Sequence, residues 1–150
     1  YEIAQCLVGS EMCIRDSSDI YQIGTVSFSD AWREETIRND MKGGHSCYFI
    51  AKLAKKVIGY GCFWFIADEA QLMNIGVLPE YRRMGAAEKI LKQGLEEAAE
   101  RHMEVIFLEV RVSNLPAQSL YRKYNFQTVS VRQDVYELPR ENGYIMSRKV

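Results

Sequence analysis

The succession of apolar patterns along this chain predicts an α/β (α+β) fold, a mixed and mostly antiparallel central sheet flanked by helices. Three observations carry that expectation. Three β-rich runs follow one another closely between Tyr48 and Val77, as in an antiparallel meander. A segment of helical period then separates the third run from a continuous apolar stretch, Val105 to Val110, which is the pattern of a strand, helix, parallel-strand unit. Two further runs, Gln127 to Arg132 and Tyr144 to Val150, read as a closing antiparallel pair.

The elements follow in order. Asp19 to Val26 reads as a short helix, and Ser29 or Asp30 is placed to cap a second one running through Trp32, Ile37 and Met41 until Gly43-Gly44 stops it. Tyr48 to Leu53 and Val57 to Ile66 form the expected hairpin about Lys55-Lys56, and Ala70 to Val77 follows the turn at Ala67-Asp68-Glu69. In the next helix Ala87, Ile90, Leu91, Gly94, Leu95 and Ala98 recur at 3.6-residue spacing opposite a charged face. Val105 to Val110 is broken only by Glu109, as expected of a central strand covered on both sides. Asn114, with Pro116 in the first turn, opens a last helix whose Ala117, Leu120, Tyr121 and Tyr124 share a face.

A chain of 150 residues that is 47% hydrophobic and 26% charged fits one domain with one ordinary core. Its formal net charge of -1 supplies no basic field for nucleic acid. No apolar run approaches a membrane span and no charged-then-apolar leader opens the chain, so the expected compartment is the cytoplasm. Cys47 and Cys62 lie in apolar runs, where lone thiols are more often small core residues than nucleophiles or half-cystines. With His45 and His102 as the histidines and no close Cys/His clustering, no metal is expected.

The segment with the most chemistry is Arg82-Arg83-Met84-Gly85-Ala86-Ala87, between a strand that ends before Pro79 and a helix start. Such a junction aims unpaired main-chain N–H groups and a helix dipole at one point. Gly85 lets an anion approach the backbone, and Arg82 and Arg83 add charged donors, so a pyrophosphate-bearing ligand is one reading. A solvated helix cap is the other. Neither a Walker loop nor a dinucleotide-binding glycine motif is present.

The R-x-x-G-x-A form of this turn resembles the acetyl-CoA loop of the GCN5-related N-acetyltransferase (GNAT) superfamily. The likeness extends to Met73-Asn74-Ile75-Gly76-Val77-Leu78-Pro79-Glu80-Tyr81, to Phe107-Leu108-Glu109-Val110-Arg111-Val112-Ser113-Asn114 and to Ser119-Leu120-Tyr121-Arg122-Lys123-Tyr124-Asn125-Phe126. These stretches are similar to the RimI-type ribosomal-protein-alanine N-acetyltransferases. The resemblance implies a GNAT fold, acetyl-CoA as co-substrate without a metal, and the N-terminal α-amine of a protein, a ribosomal protein's terminal alanine, as acceptor. A lysine or small-molecule amine as acceptor, and a catalytically silent CoA-binding domain, are the alternatives.

By the same resemblance Glu109 is the general base and Tyr121 the acid that protonates the departing thiolate. From the residues alone, Glu109 would pair with Arg111 two positions on, and Tyr121 would be a packing aromatic. Ile75, Gly76, Val77, Arg82, Arg83, Met84, Gly85, Ala86, Ala87, Asn114 and Tyr121 are the expected coenzyme contacts, Asn114 serving also as helix cap. Trp32, Arg132 and Tyr136 are the expected acceptor contacts. Val135 and Asn142-Gly143 depart from the Tyr and Asp-Ala usual in that family near the peptide entrance.

One segment stands apart. Cys6-Leu7-Val8-Gly9-Ser10-Glu11-Met12-Cys13-Ile14-Arg15-Asp16-Ser17 resembles the conceptual translation of a transposon-type sequencing adaptor, all twelve residues fitting one frame. Residues 1–17 are accordingly expected to be an artefactual N-terminal segment and 18–150 the GNAT domain, with the first edge strand missing or replaced.

Overall fold

The computed structural model describes the backbone of residues 2–3 and 14–150 and the side chains of residues 16–150. Its elements are β1 (Glu2–Ile3), α1 (Ile14–Ser27), α2 (Glu34–Lys42), β2 (Ser46–Leu53), β3 (Lys56–Ile66), β4 (Glu69–Val77), a 3₁₀ turn (Pro79–Tyr81), α3 (Ala86–Glu100), β5 (Val105–Arg111), α4 (Leu115–Lys123), β6 (Gln127–Glu137) and β7 (Arg140–Lys149). The strands form one sheet in the order β1-β2-β3-β4-β5-β7-β6. The pair β4 and β5 is parallel and the other neighbours are antiparallel.

A two-residue strand takes the first edge position, Glu2 opposite Lys52 and Ile3 opposite Ala51. The segment set apart in the sequence lies outside the described residues from 6 to 13, while Ile14 to Ser17 forms the first turn of α1 and Ser17 is fully buried. Helix α1 therefore starts five residues before the Asp19 expected from the pattern.

Two apolar clusters cover the two faces of the sheet. Helices α1 and α2 contribute Ile20, Ile23, Ile37 and Met41 to one, against Tyr48, Ile50, Tyr60 and Cys62. The other is built by α3, whose Ile90, Leu91 and Ala98 meet Phe49, Phe63 and Ile106. Gly61 and Gly94 set how closely α3 lies on the sheet, since a Cβ on either would run into Ile90 or the Phe63 ring.

Three local expectations need correction. Neither Ser29 nor Asp30 caps α2, which begins at Glu34 after an extended Arg33 with no side-chain cap, and Trp32 precedes the helix. The hydroxyl of Ser29 is occupied elsewhere, as described below. Cys47 is disulfide-bonded and not a lone thiol, since an apolar setting alone does not tell a paired sulfur from a free one; Cys62 is free and buried. The closing hairpin is longer than its apolar pattern, since β6 is an exposed edge with few apolar residues to mark it.

The feature that positions the site is the parting of β4 from β5. Their pairing runs from Glu69 and Val105 to Leu72 and Leu108 and stops there. On its other side β4 stays paired with β3 to Val77, past a bulge at Met73 between the Phe63–Leu72 and Cys62–Asn74 pairs. A bulge turns a strand out of the plane of its neighbour. Met73 to Val77 thus diverges from the half of β5 that carries Glu109.

Candidate active site

At the end of β4 the chain makes the 3₁₀ turn and then the loop Arg82 to Gly85, where Arg83 (φ 66°) and Gly85 (φ 83°) are both left-handed. Gly85 is the N-cap of α3 and gives no side-chain cap bond, so the first-turn amides of α3 are left to another acceptor. Such a turn fits a diphosphate: the left-handed glycine presents backbone and no Cβ, and the dipole of a four-turn helix stands behind it. Arg82 Nε donates to the carbonyl of Val77 at 3.1 Å, so one arginine braces the strand end while Arg83 and Met84 stay exposed. Ala86 is buried and Ala87 packs on the core.

Glu88, in the same helical turn, would oppose an anion. Its Oε1 instead accepts from Lys123 Nζ and from the Tyr124 hydroxyl, each at 2.6 Å. These bonds, with the nearby ammonium, hold the Glu88 carboxyl below its ordinary value. The contact ties the head of α3 to the end of α4.

The space between the diverging strands is a cleft of about 620 Å³ whose walls include Met73, Ile75, Glu109, Asn114, Tyr121 and Tyr136. Gly76 and Val77 are buried and are not among its walls. Glu109 faces the cleft from β5, its side chain 26% exposed, and Oε2 accepts from Arg132 Nη1 at 3.0 Å. The expected pairing of Glu109 with Arg111 is not what forms: Arg111 turns to Glu141 at 3.1 Å. The reason lies in the register, which sets Gly143 opposite Arg111 on β5 and opposite Arg132 on β6, leaving the two arginines on either side of a residue without a side chain.

Tyr121 reaches the cleft from α4, half-buried, its ring 5.9 Å from Phe126. Burial pushes its phenol up to about 12. The group is therefore protonated throughout the working range of an enzyme. Asn114 caps α4, Oδ1 accepting from the Ala117 amide at 3.2 Å.

On the far wall Trp32 lies 6.2 Å from Trp64, and Tyr136 lies under the Arg111 guanidinium at 4.3 Å. Burial, with the Glu109 charge second, raises the Tyr136 phenol. The fold thus brings Glu109, Tyr121, Asn114, Trp32, Arg132 and Tyr136 to one cleft, with the loop at the head of α3 following the end of β4. Arg132, largely exposed, donates from Nη1 to Glu109.

A residue that the sequence pattern did not single out, Gln118, also builds the site. Gln118 is 2% exposed, and its Nε2 donates to the carbonyls of Arg111 and Val112, each at 3.0 Å, fastening α4 to the end of β5. Glu141 takes Arg111 on one oxygen and the Ser113 amide on the other. A polar residue on an otherwise apolar helix face was the one available signal for Gln118; the partner of Glu141 is set by strand register. Among the described residues no His, Cys, Asp and Glu group is arranged to hold a metal, and no helix is long and apolar enough to cross a membrane.

Comparison with known proteins accords with this geometry. Residues 15–126 match the model of the Acetyltransferase (GNAT) family. The [ribosomal protein bS18]-alanine N-acetyltransferase of Haemophilus influenzae is 31% identical over 137 residues, 88% of this chain and 91% of that protein. The enzyme of the same name from Escherichia coli K12 is 30% identical over 129 residues, 85% and 86% of the two chains. The crystal structure of the ribosomal-protein-S18-alanine N-acetyltransferase from Escherichia coli superposes with a TM-score of 0.88 at 26% identity, covering 99% of this chain and 93% of that one. With a family match spanning most of the chain, this protein belongs to the GNAT acetyltransferases.

Proposed function

We propose that this acetyltransferase moves an acetyl group from acetyl-CoA to the terminal α-amine of a protein, the alanine of a ribosomal protein being the acceptor. The observation that carries the reading is the meeting of a carboxylate and a protonated phenol in the gap between β4 and β5, with a helix head at the end of β4. The names of the bacterial relatives support the acceptor.

The roles follow from position. Amides at the head of α3, with Gly85 and Arg83, take the diphosphate. The unpaired edge of Met73 to Val77 receives the pantetheine arm in the manner of an added strand, with Asn114 and Ile75 beside it. Glu109 accepts the proton of the attacking amine, directly or through one water. An α-amine with a pKa near 8 offers about a hundredfold more free base at neutral pH than a lysine amine near 10.4, so one carboxylate suffices.

Tyr121 gives its proton to the departing sulfur. A phenol near 12 is a weaker acid than a thiol near 8.5, so a complete transfer in advance runs uphill by several kcal/mol. The proton therefore moves as the C–S bond breaks. Arg132 holds one oxygen of Glu109 and leaves the other for the amine. Trp32 and Tyr136 flank the acceptor, a protein N-terminus.

Acetyl-CoA at a hundredfold excess over its Kd should stabilise the protein by about 2.7 kcal/mol, and an alanine-starting peptide should then release free thiol. Absence of both overturns the reading. Stabilisation without thiol release points to a silent binding domain, and release only with an α-blocked lysine peptide reassigns the acceptor. The adaptor origin of residues 6–17 stands as a separate proposal, resting on their reading frame; genomic DNA that contains the stretch intact would remove it.

A further inference from the structure

We infer that Arg111 is a positioning residue for the acceptor, a clasp that fixes the two walls between which the amine enters. The inference rests on the acyl-transfer reading above but concerns a residue that takes no part in its chemistry.

Arg111 ends β5, 20% exposed, and one guanidinium serves three segments. Nη1 donates to the Pro139 carbonyl at 2.9 Å and to Glu141 Oε1 at 3.1 Å. Nη2 donates to Ser29 Oγ at 3.0 Å and to the Leu138 carbonyl at 3.2 Å. Its flat face covers the Tyr136 ring. Ser29 lies in the loop from α1 to α2 that carries Phe28 and Trp32, and Leu138 and Pro139 form the turn from β6 to β7 that follows Tyr136 at the end of β6. Phe28, Trp32 and Tyr136 all line the cleft.

Two further contacts make the arrangement stiff. The Ser113 amide donates to the second oxygen of Glu141 at 2.8 Å, so the carboxylate that holds Arg111 is itself held. Gly143 lets the turn fold inward: a Cβ there would stand 2.9 Å from Val135 Cγ1, 3.0 Å from Tyr136 Cε2 and 3.3 Å from Glu109 Cγ. Val135 and Gly143, where this sequence departs from its family's usual residues, thus pack on each other beside the Arg111 clasp and against the stem of Glu109.

A planar fork with several donors can serve carbonyls, carboxylate and hydroxyl together and still stack on a ring; an ammonium cannot. Without the fork, the loop bearing Trp32 and the strand end bearing Tyr136 lose a shared anchor, and ordering them falls to the acceptor. Among the described residues, the hydrogen-bond partners of the Arg111 guanidinium are Ser29, Leu138, Pro139 and Glu141, none of which belongs to the head of α3 or the edge of β4. The acceptor, and not the coenzyme, should feel its loss.

The test compares wild type with Arg111→Met, Arg111→Lys, Ser29→Ala and the Arg111→Met/Ser29→Ala double variant. Steady-state kinetics use acetyl-CoA and an alanine-starting peptide; calorimetry of the same peptide with CoA present reads the walls independently of turnover. Arg111→Met should raise the peptide KM and Kd about tenfold or more while kcat at saturating peptide and the acetyl-CoA KM stay within about twofold. Arg111→Lys should recover little, Ser29→Ala should weaken peptide binding less, and adding it to Arg111→Met should cost nothing further. Unchanged peptide affinity in Arg111→Met, or an equal loss for peptide and acetyl-CoA, overturns the clasp. If Arg111→Met does not fold, Ser29→Ala decides, an unaltered peptide Kd being fatal. A wild type that binds the peptide but releases no thiol refutes the reaction, and the Kd series still judges the clasp.

Discussion

At one end of the cleft, the loop Arg82 to Gly85 and the head of α3 offer main-chain groups in a left-handed turn, with one side-chain brace, Arg82 on Val77. At the other, Arg111 holds Glu141 and Ser29 while Arg132 holds Glu109, two sets of side chains drawn from four segments of the chain. The first end depends on backbone shape, the second on a chain of mutual contacts. A backbone-made subsite tolerates changes of side chain but not of φ. A side-chain-made one weakens when a linked member is removed, by an amount that depends on how many bonds that member makes.

The largest effects should fall where the two ends meet. Glu109→Gln should lower kcat by about 10²–10⁴ and leave the acetyl-CoA melting shift intact, read by thiol release and thermal unfolding. Tyr121→Phe should act in the same direction. Because the Tyr121 phenol is raised to about 12, its ionisation cannot remove activity until the pH approaches that value. The wild-type rate should hold from pH 8 to about pH 10, near the ordinary tyrosine value; a Tyr121-dependent fall there would mean that burial does not raise the phenol, and an unchanged rate in Tyr121→Phe would break the acid assignment.

An intermediate effect should mark the backbone end. A β-carbon in the left-handed conformation of Gly85 costs about 1–2 kcal/mol, and branching adds to it. Gly85→Val should weaken acetyl-CoA binding about tenfold, measured by calorimetry, with peptide affinity unchanged. Equal loss of both ligands would erase the distinction between the ends.

The smallest effect should come from the exposed pair Lys123 and Glu88. Lys123→Met should lower the melting temperature by no more than about 2 °C, and by less in added salt. The lowered Glu88 carboxyl fixes the sign of the pH dependence: the pair's stabilisation is complete above the ordinary carboxylate pKa of about 4.3 and disappears as the pH falls through the lower folded value. A larger effect at neutral pH would mean that the tie between α3 and α4 governs the coenzyme end.

Much of the coenzyme end was legible because its signals are local. Glycine at a helix start, a strand closed by Pro79 and a 3.6-residue apolar stripe each act over a few neighbours, and the helix starts at Ala86 as the pattern implies. The acceptor end was legible only through resemblance. Arg111 reaches Ser29 across 82 residues, and Glu109 reaches Arg132 across 23. The near choice, Glu109 with Arg111 two residues on, was wrong because a strand offers its side chains to neighbouring strands as readily as to its own next residue on that face.

The sequence by itself determined the order and type of the elements, the turn at Gly85 and the apolar strand that carries Glu109, since propensity, periodicity and glycine act along the chain. The tertiary structure decided where β4 leaves β5, which arginine holds Glu109 and which spans the entrance. Those outcomes depend on sheet register and on a bulge at Met73, which exist only once strands distant in sequence lie side by side.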